Sequence, residues 1–245
     1  MTRRVKSEIR FANAERISRK LLKWGRRNFA EYPWRSESNP WLALVAEFML
    51  QRTRASQVVP VFNEFRKRFP TAAMLAAAGE GATKDLTTRL GLHHRGPLLL
   101  NLAREVARQG GIPPDDMKAL IAFVGIGMYT AAAWLSLHRR KRAPIVDANV
   151  ARWLSRMTGL PYNRDPRHVR WVQNLAETLT PLRTFRDYNY AVLDFSIGIC
   201  TPRAPKCINC PVRKDCHFYL RSTRGTVWAP TRPRKPKRPA VGDGR

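Results

Sequence analysis

Four cysteines, the only four in the chain, fall within 17 residues near the C-terminus: Cys200, Cys207, Cys210 and Cys216. Their spacing, Cys-x6-Cys-x2-Cys-x5-Cys, commits that segment to fold around whatever the thiols hold. Four thiolates so close can ligate an iron–sulfur cluster or a zinc ion. Zinc sites usually pair two Cys-x2-Cys knuckles across a longer gap, and here only Cys207 and Cys210 form such a pair. Disulfides suit short secreted chains, whereas the basic start Met1-Thr-Arg-Arg leads into no uninterrupted apolar segment of a secretory signal. The spacing points first to a cubane [4Fe–4S] cluster, with zinc, disulfides and free thiols as the alternatives.

The second constraint is charge. In 245 residues, 45 Lys plus Arg face 18 Asp plus Glu, a formal charge of +27. Such an excess is an electrostatic footprint for a polyanion, because neutralising phosphates releases condensed counterions. Anionic membrane surface competes as a partner, but the basic residues run along the whole chain and gather on no single amphipathic helix. No apolar run approaches the roughly 20 residues that span a bilayer. Nucleic acid is therefore the expected partner and a reducing cytoplasm the expected compartment, with no membrane association.

Strand signals are nearly absent and helical periodicity recurs, so the expected fold class is all-α. Ala14 to Phe29 places Ile17, Leu21, Leu22 and Trp24 on one face, and Asn39-Pro40 opens a second helix through Leu44, Val45, Phe48 and Met49. Further helices are expected over 55–69, 71–78, 97–109, 115–123, 129–137, 148–157, 167–179 and 188–197. From about Thr223 the composition turns to Arg, Lys, Pro and Gly, which predicts a disordered basic tail.

Between two of these helices runs Phe123-Val-Gly125-Ile-Gly127-Met-Tyr129-Thr-Ala. Two glycines make a tight turn and the next helix offers unpaired N–H groups, a combination that binds a backbone phosphate without reading a base. Downstream, Pro144-Ile-Val-Asp147-Ala-Asn149-Val puts a carboxylate at a helix start, where it would ordinarily be only a cap.

Gly-Ile-Gly-Met-Tyr-Thr-Ala, Val-Asp-Ala-Asn-Val and the four-cysteine segment together resemble the helix-hairpin-helix DNA glycosylases that carry a [4Fe–4S] cluster. Endonuclease III, the adenine glycosylase MutY and the thymine–guanine mismatch glycosylases belong to that family, and the similarity covers residues 14 to 220 or so. The resemblance implies two helical domains flanking a DNA cleft. Residues 1–37 and 142–222 would build the cluster domain and carry the catalytic aspartate. Residues 38–141 would form a six-helix barrel with the hairpin, and 223–245 the basic tail.

Three features place the chain within that family. Endonuclease III-like members carry a lysine nucleophile where this chain has Tyr129, and a tyrosine cannot form a Schiff base. A tyrosine there resembles the mismatch thymine glycosylases, whereas the adenine enzyme typically has Ser. Ala46-Glu47-Phe-Met-Leu-Gln51-Arg52-Thr53 resembles the segment bearing an acidic catalytic residue in both. Burial raises a carboxyl's pKa and would fit Glu47 to donate a proton. MutY has a further C-terminal domain for oxidised guanine, where this chain is expected to carry only the tail. The stretch from Arg186 to Cys200 also looks closest to the thymine-specific branch.

The resemblance thus implies a monofunctional enzyme acting on thymine or uracil opposite guanine in double-stranded DNA. It would be a monomer associated with the nucleoid, with weak or absent lyase activity. Asp147 would stabilise or trap the positive sugar left when the base departs. Glu47 would position or protonate the base or orient water, Tyr129 would line the pocket, and Asn149 would orient groups around Asp147. Gly125, Gly127, Gln51, Arg52, Leu92, His93 and Asn149 are the expected DNA contacts. Gln51 would fill the gap left by the extruded base, and Leu92 would act as the wedge in the stack. His94, Arg203 and Lys206 could also reach DNA. Adenine removal opposite a damaged purine and a noncatalytic iron–sulfur DNA-binding module are the alternative readings.

Overall fold

A computed structural model describes residues 13–162, 165 and 169–222; the expected basic tail lies outside the described residues. Within them the chain is helical, with no strand. Helix α1 spans Ala14–Gly25, and a 3-10 turn at Pro33–Arg35 leads to α2, Pro40–Met49. The Asn39 side chain caps α2 by accepting from the N–H groups of Trp41 and Leu42, and Pro40 sits at the position where a missing N–H costs nothing.

Helices α3 (Ala55–Arg68), α4 (Ala72–Arg89) and α5 (Gly96–Arg108) follow. The sequence predicts a helix ending at Ala78. Instead α4 resumes after Gly79, which bends the chain at φ 75°, ψ −159°. Helices α6 (Met117–Ala122) and α7 (Met128–Ala133) form the hairpin, and α7 runs on into a π-turn at Trp134–His138. Then come α8 (Ala148–Thr158), α9 (Arg170–Leu179), α10 (Phe185–Gly198) and the short α11 (His217–Ser222).

Two cores result. Helices α2 to α7 enclose the first around Trp41, Phe48, Phe62, Phe65, Leu86 and Leu99. Helix α1 joins α8, α9 and α10 around the second, which includes Leu21, Trp153, Leu154 and Phe195. Burying each such side chain contributes about 1.5–3 kcal/mol, which is why α1 packs with helices more than a hundred residues away.

A smaller cluster of Ala133, Leu137, Ile145 and Tyr190 lies apart from both cores and packs against Tyr129. Polar bonds fasten the two halves there. Arg35 forks onto Asp194 at 2.7 and 2.9 Å, a bidentate geometry that fixes orientation as well as distance. Asn189 donates to Ser136 Oγ at 2.6 Å and to the Ala143 carbonyl at 2.9 Å, both buried. These bonds join α10 to the end of the hairpin. No helix among the described residues is long and apolar enough to cross a membrane.

Candidate active site

The hairpin turn uses its two glycines differently. Gly125 has φ 92°, and a Cβ there would come within 3.1 Å of Phe48 and 3.4 Å of Leu98. Both its backbone and its packing demand glycine. Gly127 has an ordinary φ of −96°, and a Cβ there would meet nothing within 4 Å. It is exposed beside Val124 and Met128, themselves 60% and 49% exposed. The protein itself gives no reason for glycine at 127.

Asp147 opens α8 as its cap: Oδ1 accepts from the Val150 N–H at 2.7 Å and Oδ2 from the Asn149 amide at 2.8 Å. Asn149 in turn accepts from Arg152 at 2.9 Å, and Arg152 donates to the carbonyls of Ser196 at 2.8 Å and Cys200 at 2.9 Å. A continuous hydrogen-bonded path thus links the aspartate to the first cysteine. The carboxylate stays half-buried, so it is oriented by the fold and still reachable.

Tyr129 stands at the start of α7, and its hydroxyl is pushed well above the usual range. Desolvation is the largest cause, followed by the negative charges of Glu47 and Asp147. Those two charges act on one phenol, which brings the three expected site residues to one place. Glu47 is buried on α2, its side chain 3% exposed, and its Oε1 lies 3.0 Å from His138 Nε2. Tyr190, 6% exposed on α10, also feels the Glu47 charge, and desolvation likewise pushes its hydroxyl up.

Two expected DNA contacts need correction. Leu92 is 5% exposed and belongs to the first core. Its N–H bonds the Thr87 carbonyl at 2.7 Å, which turns the loop so that the side chain points inward. A wedge must be free to enter a stack, and in this loop His93 and His94 are the exposed side chains. Gln51 is not free to fill a gap either. Its Nε2 donates to the Gly125 carbonyl at 3.0 Å and Thr130 Oγ1 at 2.9 Å, and its Oε1 accepts from Arg95. It braces the hairpin. Arg52 is exposed and adopts a left-handed φ of 62°. Arg203 and Lys206 fall in the loop between Cys200 and Cys207; Arg203 is exposed there, and the Lys206 N–H bonds the Ile199 carbonyl at 2.9 Å.

All four cysteines line one cavity together with Trp153, Arg156 and Phe218. Among the described residues no His, Cys, Asp or Glu group is gathered tightly enough to clasp a single metal ion. Four thiols lining one cavity are a donor set that fits a thiolate-bound metal centre. Burial, reinforced by the neighbouring thiols, pushes Cys210 up to about 12 and raises Cys207 and Cys216. Thiolates so crowded require positive charge among them. Arg156 supplies part of it, with Nη1 3.5 Å from Cys200 Sγ, and its guanidinium also holds the Thr201 and Pro202 carbonyls at 2.6 and 2.7 Å.

Arg152, Arg156 and His138 escaped the sequence reading. The two arginines follow Asn149 at helical spacing on the face that carries the site, a pattern that could have exposed them. Nothing in the local sequence signals the inward turn of His138.

A family model for the HhH-GPD superfamily base excision DNA repair proteins matches residues 45–177, more than half of the chain. The chain belongs to the HhH-GPD superfamily. A thymine/uracil-DNA glycosylase of Pyrobaculum aerophilum is 36% identical over 212 residues, covering 83% of this chain and 92% of that protein. An adenine DNA glycosylase of Mycobacterium tuberculosis is 32% identical over 195 residues, covering 78% of this chain and 64% of that protein. Among solved structures, a thermostable thymine-DNA glycosylase superposes with a TM-score of 0.80 at 32% identity, over 85% of this chain and 97% of that one. An endonuclease III–DNA covalent intermediate gives 0.75 at 19% identity, over 89% of this chain and 99% of that one, and so shares the fold. The all-α HhH-GPD fold expected from the motifs is the fold found.

Proposed function

We propose that this HhH-GPD protein is a monofunctional base-excision DNA glycosylase that hydrolyses the N-glycosidic bond of thymine or uracil opposite guanine in double-stranded DNA. The observation that carries the reading is the convergence of Glu47 and Asp147 on Tyr129, at a position where an amine would make a lyase. The thymine/uracil-DNA glycosylase relatives at 35–36% identity support the choice of base. Residues 38–141 would act as the barrel domain, 1–37 and 142–222 as the cluster domain, and the site lies where the two cores meet. A monomer suffices, because one chain supplies every group named.

Mispaired bases cost least to extrude, which is one source of selectivity. Exposed Gly127 and the hairpin turn would seat a backbone phosphate, with Arg52 and His93 on the same approach. As the C1′–N bond breaks, its electron pair leaves with the base and positive charge develops on the sugar. Asp147, held by two N–H donors, would stabilise that charge. Glu47 would receive the proton of the attacking water or orient the departing base. Tyr129 stays a neutral hydroxyl and can donate to the base.

Cys200, Cys207, Cys210 and Cys216 would hold a [4Fe–4S] cluster that folds the C-terminal segment and orients its loop toward DNA. Cys210→Ser should lower iron content and soluble yield together; iron-free protein of unchanged stability, or zinc at one ion per chain, would overturn the cofactor assignment.

The functional test is excision from duplexes carrying T·G, U·G, A·G and A opposite 8-oxoguanine. Release of thymine and uracil is expected. Adenine release alone would favour the reading suggested by the adenine DNA glycosylase relatives, and binding without any release would favour a noncatalytic module.

A further inference from the structure

The π-turn at Trp134–His138 inserts one residue into the helical ladder, so that the Arg139 N–H reaches back to the Trp134 carbonyl at 3.2 Å and the Leu135 carbonyl at 3.1 Å. Such turns re-aim side chains and recur at functional sites. Here the turn carries the His138 imidazole inward until 2% of the side chain is exposed, with Nε2 3.0 Å from Glu47 Oε1. The other nitrogen, Nδ1, is buried and has no hydrogen-bond partner among the described residues.

With no acceptor facing Nδ1 among the described residues, the geometry favours one protonation form. An imidazolium, or a neutral ring protonated at Nδ1, would bury an N–H donor with nothing to receive it. The neutral ring protonated at Nε2 leaves only a bare lone pair there, and its N–H points at Glu47. Glu47 Oε1 is then the acceptor across 3.0 Å, and an N–H donor bonds more strongly to a carboxylate than to a neutral carboxyl.

Resting on the glycosylase reading above, we propose that His138 is a positioning residue that holds Glu47 as a carboxylate with Oε1 tethered, leaving the second oxygen for substrate or water. The pair works as an acceptor of protons, not as an acid. The surroundings suit this. The Glu47 charge acts on the hydroxyls of Tyr129 and Tyr190, and Asp147 acts on Tyr129 as well; Arg35 and Arg186 lie over the Tyr190 ring at 4.4 and 5.4 Å, and Arg95 lies over the Phe48 ring at 5.9 Å. Gln51, just past the end of α2, is neutral, and α3 contributes Val58, Val61, Phe62 and Phe65 to the shared core.

Two measurements test it. In the unmodified protein, nitrogen-15 NMR of His138 at neutral pH should report the Nε2–H tautomer; the Nδ1–H tautomer or an imidazolium would overturn the proposal whatever the substrate proves to be. In single-turnover excision from a T·G duplex, His138→Ala should slow the neutral-pH rate by on the order of 10- to 100-fold, the effect of losing one hydrogen bond to a charged group. It should also move the acidic limb of the rate profile upward by about one pH unit, because the lost donor no longer favours the carboxylate. His138→Gln, which keeps an N–H donor, should recover most of the rate and return the limb, with affinity for the duplex unchanged in both variants. Parental rates in His138→Ala, or equal losses in both variants with no shift of the limb, would mean that the side chain only fills space. A parent protein that releases neither thymine nor uracil would sink the functional reading, while the NMR result would still judge the Glu47–His138 pair.

Discussion

Asp147→Asn should lower single-turnover excision by about 10³-fold, the scale seen when a group acting on transition-state charge is removed. Binding to mismatched DNA should persist or tighten, since the positive sugar exists only in the transition state. Its amide can still cap α8, but it can satisfy only one of the two donors that now meet the carboxylate. Either Val150 N–H or the Asn149 amide loses its acceptor. A modest fall in melting temperature is therefore expected beside the large kinetic loss. Excision at the parental rate by a folded variant would remove Asp147 from the mechanism.

The second large effect is a gain of chemistry. The parent protein should leave the abasic site intact, so that strands break only after alkali or heat. Tyr129→Lys puts an amine where Glu47 and Asp147 already converge. Desolvation lowers a lysine's pKa while the two carboxylates raise it, so only a fraction of the amine is free to attack C1′. That fraction should suffice for borohydride to trap a covalent protein–DNA adduct with the variant and none with the parent. Efficient trapping of the parent would mean that another amine is the nucleophile and that the monofunctional assignment is wrong.

Much of this was legible in the residues because it follows local rules. Asn39-Pro40 marks a helix start by capping and proline geometry, and Asp116 caps α6 in the same way through the Ala119 N–H. The glycine pair marks the hairpin, and the cysteine spacing marks the C-terminal loop. What stayed hidden depends on three-dimensional register. The continuation of α4 past Gly79 runs against that residue's low helix propensity and is carried by Thr83, Leu86 and Thr87, which are buried. Leu92 looked like a surface wedge because a loop leucine carries no sign of which way its backbone turns. His138 became visible only through a π-turn, which shifts every later side chain by about 100° from the helical expectation.

The path from Asp147 through Asn149 and Arg152 to the Cys200 and Ser196 carbonyls has a consequence for how such a protein fails. Arg152 is more than half enclosed, and those carbonyls are what make its burial tolerable. If the cysteine loop comes apart, the guanidinium loses partners at one end and Asn149 loses its anchor at the other. The aspartate is then misaimed before the barrel has unfolded. A DNA glycosylase leaves an abasic lesion at every mistake, and if Asp147 acts as proposed, damage to the distal loop would disarm it first. It breaks in the harmless direction.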